Sequence, residues 1–205
     1  MRHALVTIAA LSLATAARAA PPPADPDWPC QQRLVPHLAF ANYWSGPAPA
    51  SGADWHDNQS VATLAEAVSA RDVTPEEGVA KLDAFVHGLP STERATILPL
   101  LFTALVAQTN EQRDAVIARL KELAVRQRAL AKRIEDDEAA MQANPADTTG
   151  PAADDRAAIA ARHDLLVRSY HDIGETIRYA CQVPSDLDAR LGAYARALTG
   201  ALGTE

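Results

Sequence analysis

The chain has 205 residues, 19 basic and 26 acidic side chains for a formal net charge of −7, and only 5% aromatic residues. That length suits one domain with a sizeable core, and the acidic balance disfavours nucleic acid and anionic lipid head groups as partners. Few aromatics and abundant alanine favour thin helical packing over a thick globular core.

Met1, Arg2 and His3 make a short basic start, Ala4 to Ala17 is apolar or small throughout, and Ala17-Arg18-Ala19 is a small-x-small cleavage signature. This three-part pattern predicts a signal peptide over residues 1–19, its apolar part too short to anchor in a bilayer. The protein is therefore expected in the periplasm or secreted, with no integral membrane segment after cleavage. Loss of Arg2 and Arg18 makes the remainder more acidic still.

Residues 20–57 are punctuated by Pro21, Pro22, Pro23, Pro26, Pro29, Pro36, Pro47 and Pro49, a density that no helix of ordinary length survives. All three tryptophans, Trp28, Trp44 and Trp55, nonetheless lie here. Leu34, Pro36, Leu38 and Phe40 alternate as one face of an extended strip does. The segment reads as an extended arm laid along a helical body with its aromatics buried. A short strand is the alternative, but no second strand is evident for it to pair with.

From Asn58 the pattern is helical, so residues 58–205 read as a single helical domain. Asn58 or Ser60 is positioned to cap a short helix carrying Val61, Leu64, Ala65 and Val68. Thr74-Pro75-Glu76-Glu77 is a strong start signal, with threonine at the cap, proline at the first helical position and glutamate three residues after the cap. That helix carries Val79, Leu82, Phe85 and Val86 and should end at Gly88. Ser91 is the expected cap of the next.

Between Ser91 and about Ala143 there is no glycine, and Pro99 is the only proline. Phe102, Val106, Val116, Leu120, Leu123, Leu130, Ile134 and Met141 fall on alternating three- and four-residue steps, with Thr109, Arg113, Gln127 and Asp137 as polar seam positions. Ile117, Ala124 and Ala131 form a flanking column that turns polar at Glu138. This heptad-like stripe predicts one helix of roughly 75 Å. After a break from Asn144-Pro145 to Gly150-Pro151, a second stripe reads Ile159, His163, Leu166, Tyr170, Ile173, Ile177 and Ala180. Two matching stripes on a short loop predict an antiparallel coiled hairpin over about 91–181. Val183-Pro184 should stop it, with Ser185 capping a last helix that carries Leu187, Leu191, Tyr194, Leu198 and Leu202. The fold class is all-α: a long two-helix hairpin, shorter base helices and a Pro/Trp-rich arm.

The longest uncharged apolar stretch is residues 95–107. The simplest reading is a helix buried all round. The alternative is a docking surface or dimer seam, with Leu100, Leu101, Phe102 and Leu105 as its candidate residues.

The two cysteines, Cys30 and Cys181, are 151 positions apart, which excludes a C-x-x-C redox pair. In an oxidising compartment they most simply form one disulfide, and closing so long a loop would stabilise the fold by ~5 kcal/mol in the chain-entropy model. Metal ligation or a free thiol are the alternatives.

Chemistry-bearing patterns are sparse. Ser169 precedes Tyr170-His171-Asp172, but neighbours on a helix point apart, and no serine sits in a glycine-flanked elbow. His171 and Glu175 share a helix face one turn apart, a spacing that supplies two metal ligands and equally an ordinary solvated face. His163 lies on the hairpin seam, where a hairpin turning near 147 would bring it toward the acidic run Glu135 to Glu138. His37 and His56 in the arm lack supporting spacing. No cofactor is expected.

The words "DWPCQQRLVP", "YWSGP", "EEGVAKLDAF", "ILPLLFTALVAQTNEQR" and "RQRALA" resemble an uncharacterised family of secreted, periplasmic proteobacterial helical proteins with an N-terminal DWPC-type motif. The resemblance implies export and a helical body, and carries no activity, ligand or site residue. The expected function is therefore non-enzymatic: contact with an unknown protein partner or with itself, as an accessory or scaffold factor. Metal binding through the hairpin's His163, His171 and Glu175 is the alternative.

Overall fold

The computed structural model describes residues 25–143 and 150–203. The signal-peptide reading of residues 1–19 falls outside them, as does the hairpin turn itself. The described chain is all-α, with five helices and two short 3-10 turns at Phe40–Asn42 and Trp55–Asp57. No helix among the described residues is long and apolar enough to cross a membrane.

Helix α1 (Gln59–Ser69) starts where Asn58 accepts the Val61 N–H on its side-chain oxygen at 3.1 Å. Helix α2 (Pro75–Gly88) opens with a full capping box. Thr74 Oγ1 accepts from the Glu77 N–H, and the Glu77 carboxylate accepts from the Thr74 N–H. Helix α3 (Ser91–Ala143) runs 53 residues, about 80 Å at 1.5 Å per residue. It continues through Pro99, whose missing N–H leaves the Ala95 carbonyl without a helical donor. Helix α4 (Pro151–Ala180) returns along α3, and α5 (Val183–Leu202) folds back onto the base. The sequence places the α5 cap at Ser185; the helix instead begins at Val183. Pro184 fits the first turn, where no intrahelical donor is needed.

Helix α3 takes part in two apolar cores. The base core joins Val61, Ala65 and Val68 of α1, Leu82 and Val86 of α2, residues 98–106 of α3, and Leu191, Tyr194 and Leu198 of α5. The hairpin core joins Leu120, Leu123 and Leu130 of α3 to Leu166, Ile173 and Ile177 of α4. Burying each such side chain contributes about 1.5–3 kcal/mol, which is what holds two long helices together without a third. The hairpin core follows the three-four stripe, because residues at that spacing share one helix face, whereas in the base core α3 is buried on consecutive positions.

Leu100, Leu101, Phe102 and Leu105 belong to the base core and are at most 8% exposed. Their candidacy as an interaction surface is therefore corrected. A helix apolar on every side at this point is enclosed by α1, α5 and the arm, not presented to a partner. Phe102 alone meets two arm aromatics, Phe40 at 5.3 Å and Trp44 at 5.1 Å between ring centroids.

The arm runs antiparallel to α3. Asp25 pairs with Lys121 at 2.8 Å and Asp27 with Arg128, while Leu38 meets Asn110 and Trp44 stacks on Phe102. Cys30 and Cys181 are disulfide-bonded, fixing the arm to the end of α4. Gln32 adds a side-chain hydrogen bond to the Cys181 carbonyl, and Trp28 Nε1 donates to the Gln32 carbonyl at 2.7 Å.

Candidate interaction groove

Between the two cores α3 carries a polar layer, and each member has a structural partner. Arg113 is only 4% exposed and donates to the carbonyls of Pro184 at 2.5 Å and Val35 at 2.6 Å. One guanidinium thus ties the start of α5 and the arm to α3. Gln112 donates to the Ser69 carbonyl at 2.6 Å and accepts from Arg190 Nη2 at 2.7 Å. Arg190 also reaches the Ser69 carbonyl at 3.4 Å, so a cation of α5 closes the C-terminal end of α1. That is where the helix dipole and the orphan carbonyls favour positive charge.

Beside this layer lies an open trough. Its middle, about 360 Å3, is lined by Arg71, Gln112, Val116, Val183, Leu187 and Arg190. It continues for about 250 Å3 past Val116, Leu120, Leu123 and Ala180, with Arg119 at its edge. Toward α2 a further 150 Å3 or so reaches Val73, Pro75 and Asp186. Stepping at 100° per residue puts Gln112, Val116, Arg119 and Leu123 on the side of α3 away from Asn110, Asp114, Lys121 and Arg128, which face the arm. The arm and the trough therefore occupy opposite sides of one helix. Val183 is 37% exposed within the trough. It stands there because α5 begins at Val183, directly after the two-residue turn from α4.

The charges around the trough are uneven. Arg71, in the α1–α2 turn, has no hydrogen-bond or ion-pair partner among the described residues. Arg190 is buried against carbonyls and an amide, with no carboxylate within ion-pair distance. Arg119 is paired with Glu122 at 2.9 Å, and Asp186 accepts from Gln182 at 3.1 Å. The centre is thus positive, the Arg119 end is balanced by Glu122, and the end toward α2 keeps the negative charge of Asp186, whose partner there is a neutral amide.

The sequence's metal candidates do not assemble into one site. His163 sits 3.4 Å from Glu138, in the acidic run that the register of the hairpin predicts for it, and 3.7 Å from its sequence neighbour Asp164. His171 and Glu175 are exposed two turns or more further along α4, and Glu175 lies 3.9 Å from Arg178. Among the described residues no three metal-capable side chains form a group. The adjacent Asp137 is buried in the seam and takes Nε of Arg162 at 3.0 Å on one oxygen and its Nη2 on the other. Arg162 holds the Asp137 carboxyl below the usual carboxylate range.

A second hollow, about 390 Å3, surrounds the disulfide and is lined by Pro29, Gln31, Gln32, Gly174 and Arg178. His37 lies 3.8 Å from Asp114 and His56 2.6 Å from Asp54, both at the surface. The trough was not legible in the sequence, because its walls come from the α1–α2 turn, mid-α3 and the first turn of α5. The chain matches no family model, no curated protein and no solved structure.

Proposed function

We propose that this is a non-enzymatic, exported helical protein that acts by protein–protein contact, as an accessory or scaffold factor. The open trough carries the reading. Val183, which is 37% exposed, and the half-buried Val116 form an apolar edge over the buried Leu187 that the chain's own helices do not fully cover, flanked by an arginine with no partner of its own among the described residues. Such rimmed apolar strips are the usual form of a contact site. Export is supported by the signal-peptide pattern, by the resemblance to secreted helical proteins, and by a disulfide of the kind that persists in oxidising compartments.

The second reading, periplasmic metal binding, is favoured only by the approach of His163 to Glu138 and Asp164. Capture from the periplasm with wild-type protein and with Val183→Asp, alongside metal analysis of both, separates the two. A protein retained by the wild type and lost with Val183→Asp supports contact. Stoichiometric metal that disappears in His163→Ala and His171→Ala, with no differential capture, replaces contact with metal binding.

A further inference from the structure

We propose that the trough receives the apolar face of an amphipathic helix from a partner protein, and that acidic residues flanking that face pair with Arg71. This rests on the contact reading and names the partner's chemistry.

Shape and charge each narrow the occupant. The trough is open along its length, so a lipid tail laid in it would stay wet on its outer side. A helix offers one apolar stripe to the floor and keeps its polar face in water, which is the helix-in-groove mode of recognition. The floor residues come from α3 and α5, with Leu123 and Leu187 buried at the bottom and Val116 and Val183 left accessible to a partner's apolar stripe.

Charge then selects the sign of the partner. The chain as a whole is acidic at −7, so an approaching acidic segment is repelled by most of its surface. At the trough the balance inverts. Arg71 has no partner among the described residues, and Arg190 contributes a buried positive charge answered only by carbonyls and an amide. A guanidinium at the edge of an apolar strip pairs with a carboxylate in bidentate geometry and is enriched in contact sites for that reason. A basic helix would instead leave Arg71 facing like charge. Arg190 stays bound to the end of α1 and acts through its field, so the direct ion pair falls to Arg71.

The experiment is selection of a random peptide library on the full, oxidised protein, with counter-selection on Arg71→Glu. Enriched sequences should carry apolar residues at i, i+3, i+4 and i+7 with Asp or Glu beside them. Each chosen peptide should bind at least tenfold more weakly to Arg71→Glu and to Val183→Asp, and more weakly as salt rises. Arg71→Lys keeps the charge but loses the bidentate fork, so its affinity should fall between wild type and Arg71→Glu, which separates an electrostatic role from a folding defect. Peptides that are basic or uncharged, or that bind Arg71→Glu as well as wild type, overturn the acidic-helix inference while leaving contact at the trough standing. If no selected peptide is displaced by Val183→Asp, the trough is not a docking site and both readings fail.

Discussion

Asn110 holds the backbone of Leu38 at both of its polar groups: Oδ1 accepts the Leu38 N–H at 2.8 Å and Nδ2 donates to the Leu38 carbonyl at 3.0 Å. A helix side chain thus does for an extended segment what a neighbouring strand would do. The alternation of Leu34, Pro36, Leu38 and Phe40 is that of an extended strip, and no strand is found among the described residues to pair with it. Asn110→Ala strips both bonds from a buried backbone position, where each unsatisfied group costs about 1–3 kcal/mol. With two groups affected, urea unfolding should show a loss of about 2–6 kcal/mol, and cleavage of the arm by a non-specific protease should quicken. A fully stable, protease-resistant Asn110→Ala protein would show that the arm does not depend on this pair.

The disulfide acts on the same arm from its other end. Cys30→Ser should lower stability by up to ~5 kcal/mol in the chain-entropy limit and free the segment carrying Trp28. Mass spectrometry without reductant should find the oxidised protein two hydrogens lighter than the reduced form. Free thiols in protein taken from an oxidising compartment contradict the bridge.

Gly78 lies where α2 crosses α5. A Cβ there would come within 1.9 Å of the Tyr194 hydroxyl, which is buried and donates to the Val68 carbonyl at 2.9 Å. Alanine favours a helix over glycine by about 1 kcal/mol. Displacing a buried tyrosine costs about 1–3 kcal/mol and breaks its hydrogen bond as well, so the packing loss should win. Gly78→Ala is expected to lower the melting temperature, whereas Gly88→Ala, with open space around it, should not.

The Asp137–Arg162 pair sets an acid limit on the hairpin. Because Arg162 lowers the carboxyl's pKa in the folded state, its contribution is fully present above the ordinary unfolded value of about 3.9. It is lost as pH falls through the depressed folded value. Thermal unfolding between roughly pH 5 and pH 2 should therefore fall less steeply for Asp137→Asn than for wild type. Parallel slopes would mean that the pair contributes nothing to stability.

Elements whose signals are local were legible in the sequence. The Thr74-Pro75-Glu77 start, the Asn58 cap and the extent of α3 each depend on a few adjacent residues or on one helical period. The heptad stripe even marked Arg113 and Asp137 as polar seam positions, though not their partners. Pro184 is ambiguous in the sequence, because the same residue that ends one helix is equally at home in the first turn of the next. Residues 95–107 carried two readings, and burial under Phe40 and Trp44 decided between them. The trough had no sequence signature at all. Arg71, Val116 and Val183 meet only after α1, α3 and α5 have packed, and nothing in their spacing announces it.

A photoreactive residue replacing Val183 in the full chain, produced in cells, tests contact at the trough most directly. Val125, exposed on the hairpin away from the trough, is the matched control. Ultraviolet irradiation of intact cells should give a discrete cross-linked protein from position 183, absent from position 125 and reduced when Arg71→Glu is added. Equal labelling from both positions, or none from 183, contradicts the account.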